Sequence, residues 1–169
     1  MKRNLALIGM MGCGKTTIAK ELASILPDYK YVDIDEEIEK TTGKKISEIF
    51  LKLGEPHFRI LESDKIKKIC ENDNQIISLG GGAFEREENR IILLANTEVI
   101  YLQASADEIY KRIKNEFHRP LLSKNVTKDR ISSIMLNREK NYKKADIIIS
   151  TDNKTPSEIA KNILEVINA

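Results

Sequence analysis

Gly9-Met10-Met11-Gly12-Cys13-Gly14-Lys15-Thr16-Thr17 follows the apolar run Leu5-Ala6-Leu7-Ile8 and precedes a segment whose apolar residues, Ile18, Ala19, Leu22, Ala23, Ile25 and Leu26, recur at helical spacing. The stretch matches G-x-x-x-x-G-K-[ST] through Gly9, Gly14, Lys15 and Thr16, and the strand before it and helix after it are the context that gives the pattern meaning. Glycines let the backbone turn successive N–H groups inward around a polyphosphate, and the helix starting near Lys15 adds the positive end of its dipole there. Lys15 then reaches the β- and γ-phosphate oxygens, and the Thr16 hydroxyl is a ligand for Mg²⁺. A glycine-rich turn without a ligand is the competing reading, and the complete motif with both flanks argues against it.

Pro27-Asp28 ends the first helix, and Tyr31-Val32-Asp33-Ile34-Asp35 alternates apolar with acidic. If this segment is an extended strand, Asp33 and Asp35 face the same side, at the carboxyl edge where an open parallel sheet binds ligands. Asp33 is then a candidate to hold Mg²⁺ through water. Asp35 is expected both to bind a substrate hydroxyl and to cap the helix from Glu36 to Thr41. Ile46 to Leu53 reads as a short amphipathic helix, and Pro56 opens a longer one running to about Glu71. Within it Arg59 and Glu62, three apart, are spaced as an ordinary surface pair. His57 has no companion at metal-ligand spacing and reads as solvent-facing or packed.

Gln75-Ile76-Ile77-Ser78-Leu79 reads as a strand ending in Gly80-Gly81-Gly82, three glycines that offer backbone N–H groups and close ligand approach at the same edge. Helices over Glu87 to Leu94, Ala106 to Ile113 and Thr127 to Tyr142, strands over Glu98 to Leu102 and Asp146 to Ser150, and a last helix opened by Thr155-Pro156 complete the chain. Strands alternating with helices throughout imply an α/β fold, a parallel sheet covered on both faces. Between Lys114 and Leu122 the periodicity fails and breaks at Arg119-Pro120. A loop there carrying one arginine is what phosphoryl transfer needs to close over a γ-phosphate.

Five ordered signals, Gly9 to Thr17, Asp33-x-Asp35, Gly54-Glu55-x-x-Phe58-Arg59-x-x-Glu62, Gly80-Gly81-Gly82, and Arg119-Pro120-Leu121-Leu122 with Arg138-x-x-x-Tyr142, together resemble the shikimate kinase family. The likeness covers nearly the whole chain. It implies a three-layer P-loop NTPase fold of the nucleoside-monophosphate-kinase-like group, with a five-stranded parallel sheet of order 2-3-1-4-5, acceptor-binding helices over about 35–62 and a lid over about 114–125. It further implies ATP and Mg²⁺ as cofactors, and transfer of the γ-phosphoryl to the 3-hydroxyl of shikimate in aromatic amino acid biosynthesis.

Carried over by position, the resemblance gives Gly12, Cys13, Gly14, Lys15, Thr16 and Thr17 as the ATP-phosphate cradle and Thr16 and Asp33 as the Mg²⁺ contacts. Asp35, Arg59, Gly80, Gly81, Gly82 and Arg138 become the shikimate site, with Lys15, Asp35 and Arg119 as catalytic residues. Arg112 would lie along the adenine. The family often has Arg or Gln near the adenine at the position that is Thr155 here, a departure for which Lys154 is a substitute. No Asp ends the strand before Gly80, which leaves Asp33 as the metal-holding carboxylate. A gluconate-type sugar-acid kinase would share the loop and an anionic acceptor but not the Gly54 to Glu62 and triple-glycine signals. A nucleotide-binding regulator would be expected to have lost Lys15, Asp33 or the lid arginine.

Composition sets the remaining bounds. With 169 residues, 41% hydrophobic and 32% charged, the chain suits one compact domain. Its 28 basic against 26 acidic residues leave a net charge of only +2, which calls for neither nucleic acid nor an anionic membrane as partner. Cys13 and Cys70 are too few for a disulfide framework and fit a reducing cytoplasm. The expectation is a cytoplasmic monomer with a small-molecule substrate.

Overall fold

A computed structural model describes residues 4–114 and 127–168 of the chain. Five strands, β1 (Asn4–Ile8), β2 (Lys30–Asp33), β3 (Gln75–Ser78), β4 (Thr97–Gln103) and β5 (Ile147–Ser150), form one parallel sheet of order β2-β3-β1-β4-β5. This is the order implied by the family resemblance.

β1 is buried on both faces, so its side chains divide the core by alternation. Leu5 and Leu7 join Ile18, Ala19 and Leu22 of α1 (Lys15–Ile25), Ile109 of α5 (Ala106–Ile113) and Ile159 and Ile163 of α7 (Pro156–Ile167). Ala6 and Ile8 join Ile38 of α2 (Ile34–Thr42), Phe58 and Ile66 of α3 (Ile46–Cys70), Leu93 of α4 (Glu87–Asn96) and Tyr142 of α6 (Lys128–Tyr142).

The sequence separates two helices around Gly54-Glu55-Pro56, and the chain breaks there. α3 runs from Ile46 to Cys70 but is interrupted at Gly54, whose φ of 81° and ψ of 166° are open to glycine and strained for other residues. Pro56 follows in the first turn after the break, where its missing N–H leaves no bond unmade.

The second strand requires a correction. It stops at Asp33, and α2 begins at Ile34, so Asp33 and Asp35 are not two residues of one extended segment. The cap is also not Asp35: Asp33 Oδ1 accepts from the N–H groups of Asp35 and Glu36 at 3.0 and 3.2 Å. The acidic residue nearer the strand end is the one whose backbone is still extended, as capping requires. Asp35 is thereby carried into the first helical turn, which turns it toward the sheet edge.

Parallel register brings the remaining pieces together. Asp33 lies opposite Ser78, and Ser78 opposite Leu7, two residues before Gly9. The phosphate loop, the triple glycine and the Asp33–Asp35 turn therefore all emerge at one edge. Among the described residues no helix is long and apolar enough to cross a membrane.

Candidate active site

A cleft of about 670 Å³ opens at this edge. One end is lined by Gly12, Gly14, Lys15, Thr16 and Thr17; the other by Asp35, Phe50, Phe58, Arg59, Glu62 and Gly80 to Gly82. The two ends are continuous.

At the Gly12–Thr17 end the conformational demand is clearest at Gly12, with φ of 78°: a Cβ there would also lie 2.5 Å from Ile113 Cγ2. Lys15, 9% exposed, donates from Nζ to the carbonyl oxygens of Gly9 and Met10 at 2.9 and 3.0 Å. These bonds hold its ammonium inside the loop. Cys13 is fully buried and not among the lining residues; its Sγ is 3.8 Å from Lys15 Nζ. Arg112 ties the loop to the far side of the sheet, donating from Nη1 to the Cys13 carbonyl at 3.1 Å and from Nη2 to the Thr151 carbonyl at 3.1 Å, while Nε is held by Glu108 at 2.9 Å. Thr155 lies outside the cleft lining, and its hydroxyl is taken up in the capping box that starts α7 with Glu158. Arg119 falls outside the described residues.

Between the two ends, Thr16 Oγ1 is 3.5 Å from Asp33 Oδ2 and 3.5 Å from Ser78 Oγ, and Tyr31 donates its hydroxyl to Asp33 Oδ2 at 3.3 Å. The hydroxyls of Thr16 and Ser78 with the Asp33 carboxylate are hard oxygen donors, the set that suits Mg²⁺. Among the described residues there is no cluster of three or more His, Cys, Asp or Glu side chains able to hold a metal. A small protein share of this kind fits an ion that takes most of its ligands from phosphate and water.

At the other end of the cleft the surface-pair reading of Arg59 and Glu62 is overturned. The Glu62 side chain is 0% exposed and that of Arg59 16%, with Nη1 to Oε2 at 2.8 Å. Glu55 holds the other side of the guanidinium, accepting from Nη2 at 2.9 Å and from Nε at 3.2 Å. Three of its five N–H donors are thus engaged, which leaves one on each Nη, a pair able to meet another carboxylate. Two buried carboxylate oxygens, Asp35 Oδ1 and Glu62 Oε1, have no hydrogen-bond partner.

Charged side chains crowd the triple glycine. A Cβ on Gly80 would be 3.1 Å from Glu62 Oε1 and 3.6 Å from Asp35 Oδ1; on Gly81, 3.1 Å from Arg138 Nη1; on Gly82, 2.6 Å from Arg59 Nη2. None of the three has a left-handed φ, so they are needed here for room. Arg138 itself stands beside Gly81 without lining the cleft.

Burial, and next the neighbouring Asp33, push the Asp35 carboxyl from 3.8 up to about 6, against the opposing pull of Lys15 and Arg59. Burial likewise raises Glu62, although Arg59 opposes it.

The structure thus gathers Lys15, Thr16, Thr17, Asp33, Asp35, Arg59, Arg112 and Gly80 to Gly82 in one cleft. The sequence reading missed Glu62 and Ser78 as parts of it. Glu62 was hidden by its i, i+3 spacing from Arg59, while the register of Ser78 at a strand end beside Asp33 was an available signal.

Residues 11–168 match the family model described as Shikimate kinase. The chain is 42% identical over 163 residues to the shikimate kinase of Thermodesulfovibrio yellowstonii, covering 96% of this chain and 94% of that one. It is 42% identical over 162 residues to that of Persephonella marina, covering 96% and 97%. Its structure is similar to that of the shikimate kinase from Acinetobacter baumannii in complex with shikimate, with a TM-score of 0.93, 31% identity, and coverage of 99% of this chain and 94% of that one.

Proposed function

Because the chain belongs to the shikimate kinase family, we propose that its cleft transfers the γ-phosphoryl of ATP to the 3-hydroxyl of shikimate. The observation that carries this reading is the acceptor end itself: two partnerless carboxylate oxygens, Asp35 Oδ1 and Glu62 Oε1, beside an arginine with two N–H groups to spare. Buried acceptors without donors call for hydroxyls, and a free guanidinium edge calls for a carboxylate. Shikimate has both.

Each residue then has a physical task. The backbone from Gly12 to Thr17 and the α1 dipole hold the ATP phosphates. Lys15 trades the carbonyls of Gly9 and Met10 for phosphate oxygens and opposes the charge that grows on the transferring group. Thr16, Asp33 and Ser78 would hold Mg²⁺, which when bound neutralises phosphate charge. Arg59 clamps the acceptor carboxylate at the end of the cleft away from the phosphates, and Arg138, which stands beside Gly81 outside the lining, reaches in to join it.

Asp35 orients the attacking hydroxyl and takes its proton. Its raised pKa suits that role, since a carboxylate near 6 is still ionised at neutral pH and holds a proton better than an exposed one. Thr155 is left without an adenine contact in this reading, and Arg112 reaches the nucleotide from the cleft wall.

The test is ADP release with Mg-ATP against shikimate, gluconate and a nucleoside monophosphate. Turnover with shikimate alone supports the assignment, whereas preference for gluconate would move the chain to a sugar-acid acceptor.

A further inference from the structure

Tyr142 ends α6 and is 2% exposed. Its ring packs on Tyr101 of β4, centroids 4.9 Å apart, and its hydroxyl donates to the Gly81 carbonyl oxygen at 2.5 Å. Arg138, four residues back on the same helical face, stands beside Gly81 too, with Nη1 3.9 Å from Met10 Sδ. Gly81 and Gly82 line the cleft and Tyr142 does not, so the phenol holds the glycine loop from behind. Burial raises the phenol far above its usual pKa, with Arg138 pulling the other way, which leaves the hydroxyl a donor throughout the neutral range.

The described chain has no cis peptide bond. In a trans peptide the C=O and N–H point in opposite directions. Fixing the Gly81 carbonyl on Tyr142 therefore turns the next N–H, that of Gly82, away from the tyrosine and toward the cleft side. Three consecutive glycines have the most rotational freedom to lose, so without an anchor this peptide is free to flip.

We propose that Tyr142 is a positioning residue of the acceptor site: its hydroxyl locks the Gly81–Gly82 peptide so that the Gly82 N–H faces the acceptor. The proposal rests on the assignment of shikimate to the cleft. A tyrosine that only fills the core would contribute to stability and leave ligand affinities alone.

Tyr142→Phe isolates the hydroxyl. The ring against Tyr101 is kept, and α6 remains fastened by Asn141 Nδ2 to Glu85 Oε2 at 3.0 Å and by Gln103 Nε2 to Glu139 Oε1 at 3.2 Å. Calorimetric titration is expected to show shikimate binding weakened by about tenfold, the scale of losing one buried hydrogen bond near a charged ligand, with ATP affinity within about twofold. Asn141→Ala, which loosens the same helix without touching the peptide, should leave shikimate affinity within about twofold. Amide exchange of the Gly82 N–H should accelerate in Tyr142→Phe and not in Asn141→Ala. Unchanged shikimate affinity in Tyr142→Phe, equal losses for shikimate and ATP, or the same loss in Asn141→Ala would each overturn the proposal. A wild-type protein that fails to phosphorylate shikimate would instead refute the functional assignment, so the two failures are distinguishable.

Discussion

Removing Arg59 should cost stability in a way that depends on pH, because the residue it leaves behind is Glu62. In Arg59→Ala the Glu62 carboxylate, 0% exposed, loses its 2.8 Å ion pair and keeps only a partnerless oxygen. Breaking a buried pair from one side costs about 3 kcal/mol or more, since an uncompensated charge stays in a dry site. For a chain of this size that corresponds to a fall in Tm of roughly 6–12 °C. Burial already raises Glu62, and Arg59 is the first of the groups pulling it down. Its loss widens the gap between the folded and unfolded pKa values. A carboxyl raised in the folded state binds its proton more tightly there, so stability is retained at acid pH and lost as pH rises through the folded pKa. Asp35 shifts in the same sense, because Arg59 also lowers it. Urea unfolding of wild type and variant at pH 5, 6.5 and 8 should therefore show a difference that grows with pH. Arg59→Ala with Glu62→Gln should recover much of the loss at pH 8, since no charge is then stranded. A difference below about 1 kcal/mol at pH 8, the scale of an exposed pair, or one that does not change with pH, would refute the buried-pair account.

Three further outcomes follow from the same geometry. Acceptor kcat/KM should rise with pH along a limb near pH 6 as Asp35 ionises, and Asp35→Asn should remove that limb and about 100-fold of the rate; the same change should stabilise the fold above pH 6 and not at pH 4, because the raised carboxyl loses stability as it ionises, and a limb that persists in the variant would assign it elsewhere. Gly82→Ala places a Cβ 2.6 Å from Arg59 Nη2, so shikimate KM should rise about tenfold or more while ATP KM stays within about twofold; equal effects on both would mean that the loop, not the guanidinium, had moved. Cys13, with no exposed surface, should react with iodoacetamide only at the rate at which the fold opens; rapid modification of the native protein would mean that the phosphate loop opens on its own.

The sheet and phosphate loop were legible because their signals are local: a complete motif between an apolar run and a helical period, and strands alternating with helices. The break between Leu53 and Pro56 was legible for the same reason, Gly and Pro both acting on their own backbone. The Asp33–Asp35 turn was misjudged because period-two alternation does not say where a strand ends, and the first helical turn carries acidic residues as readily. Glu62 was missed because spacing along a helix fixes which residues are neighbours but not which face is buried. The packing of α3 against α2, α4 and the triple glycine turns that pair inward. The sequence marks Gly80 to Gly82 as ligand-facing but not their need for room, which comes from Glu62, Arg138 and Arg59 pressing on them across the fold.

The claim that the far end of the cleft is built for a carboxylate flanked by hydroxyls is tested most directly by titrating the wild-type protein with shikimate and with its uncharged carboxamide analogue. Loss of the charge-assisted bonds to Arg59 and Arg138 should weaken the carboxamide by about 30-fold or more relative to the acid. Equal affinity for the two would contradict the account.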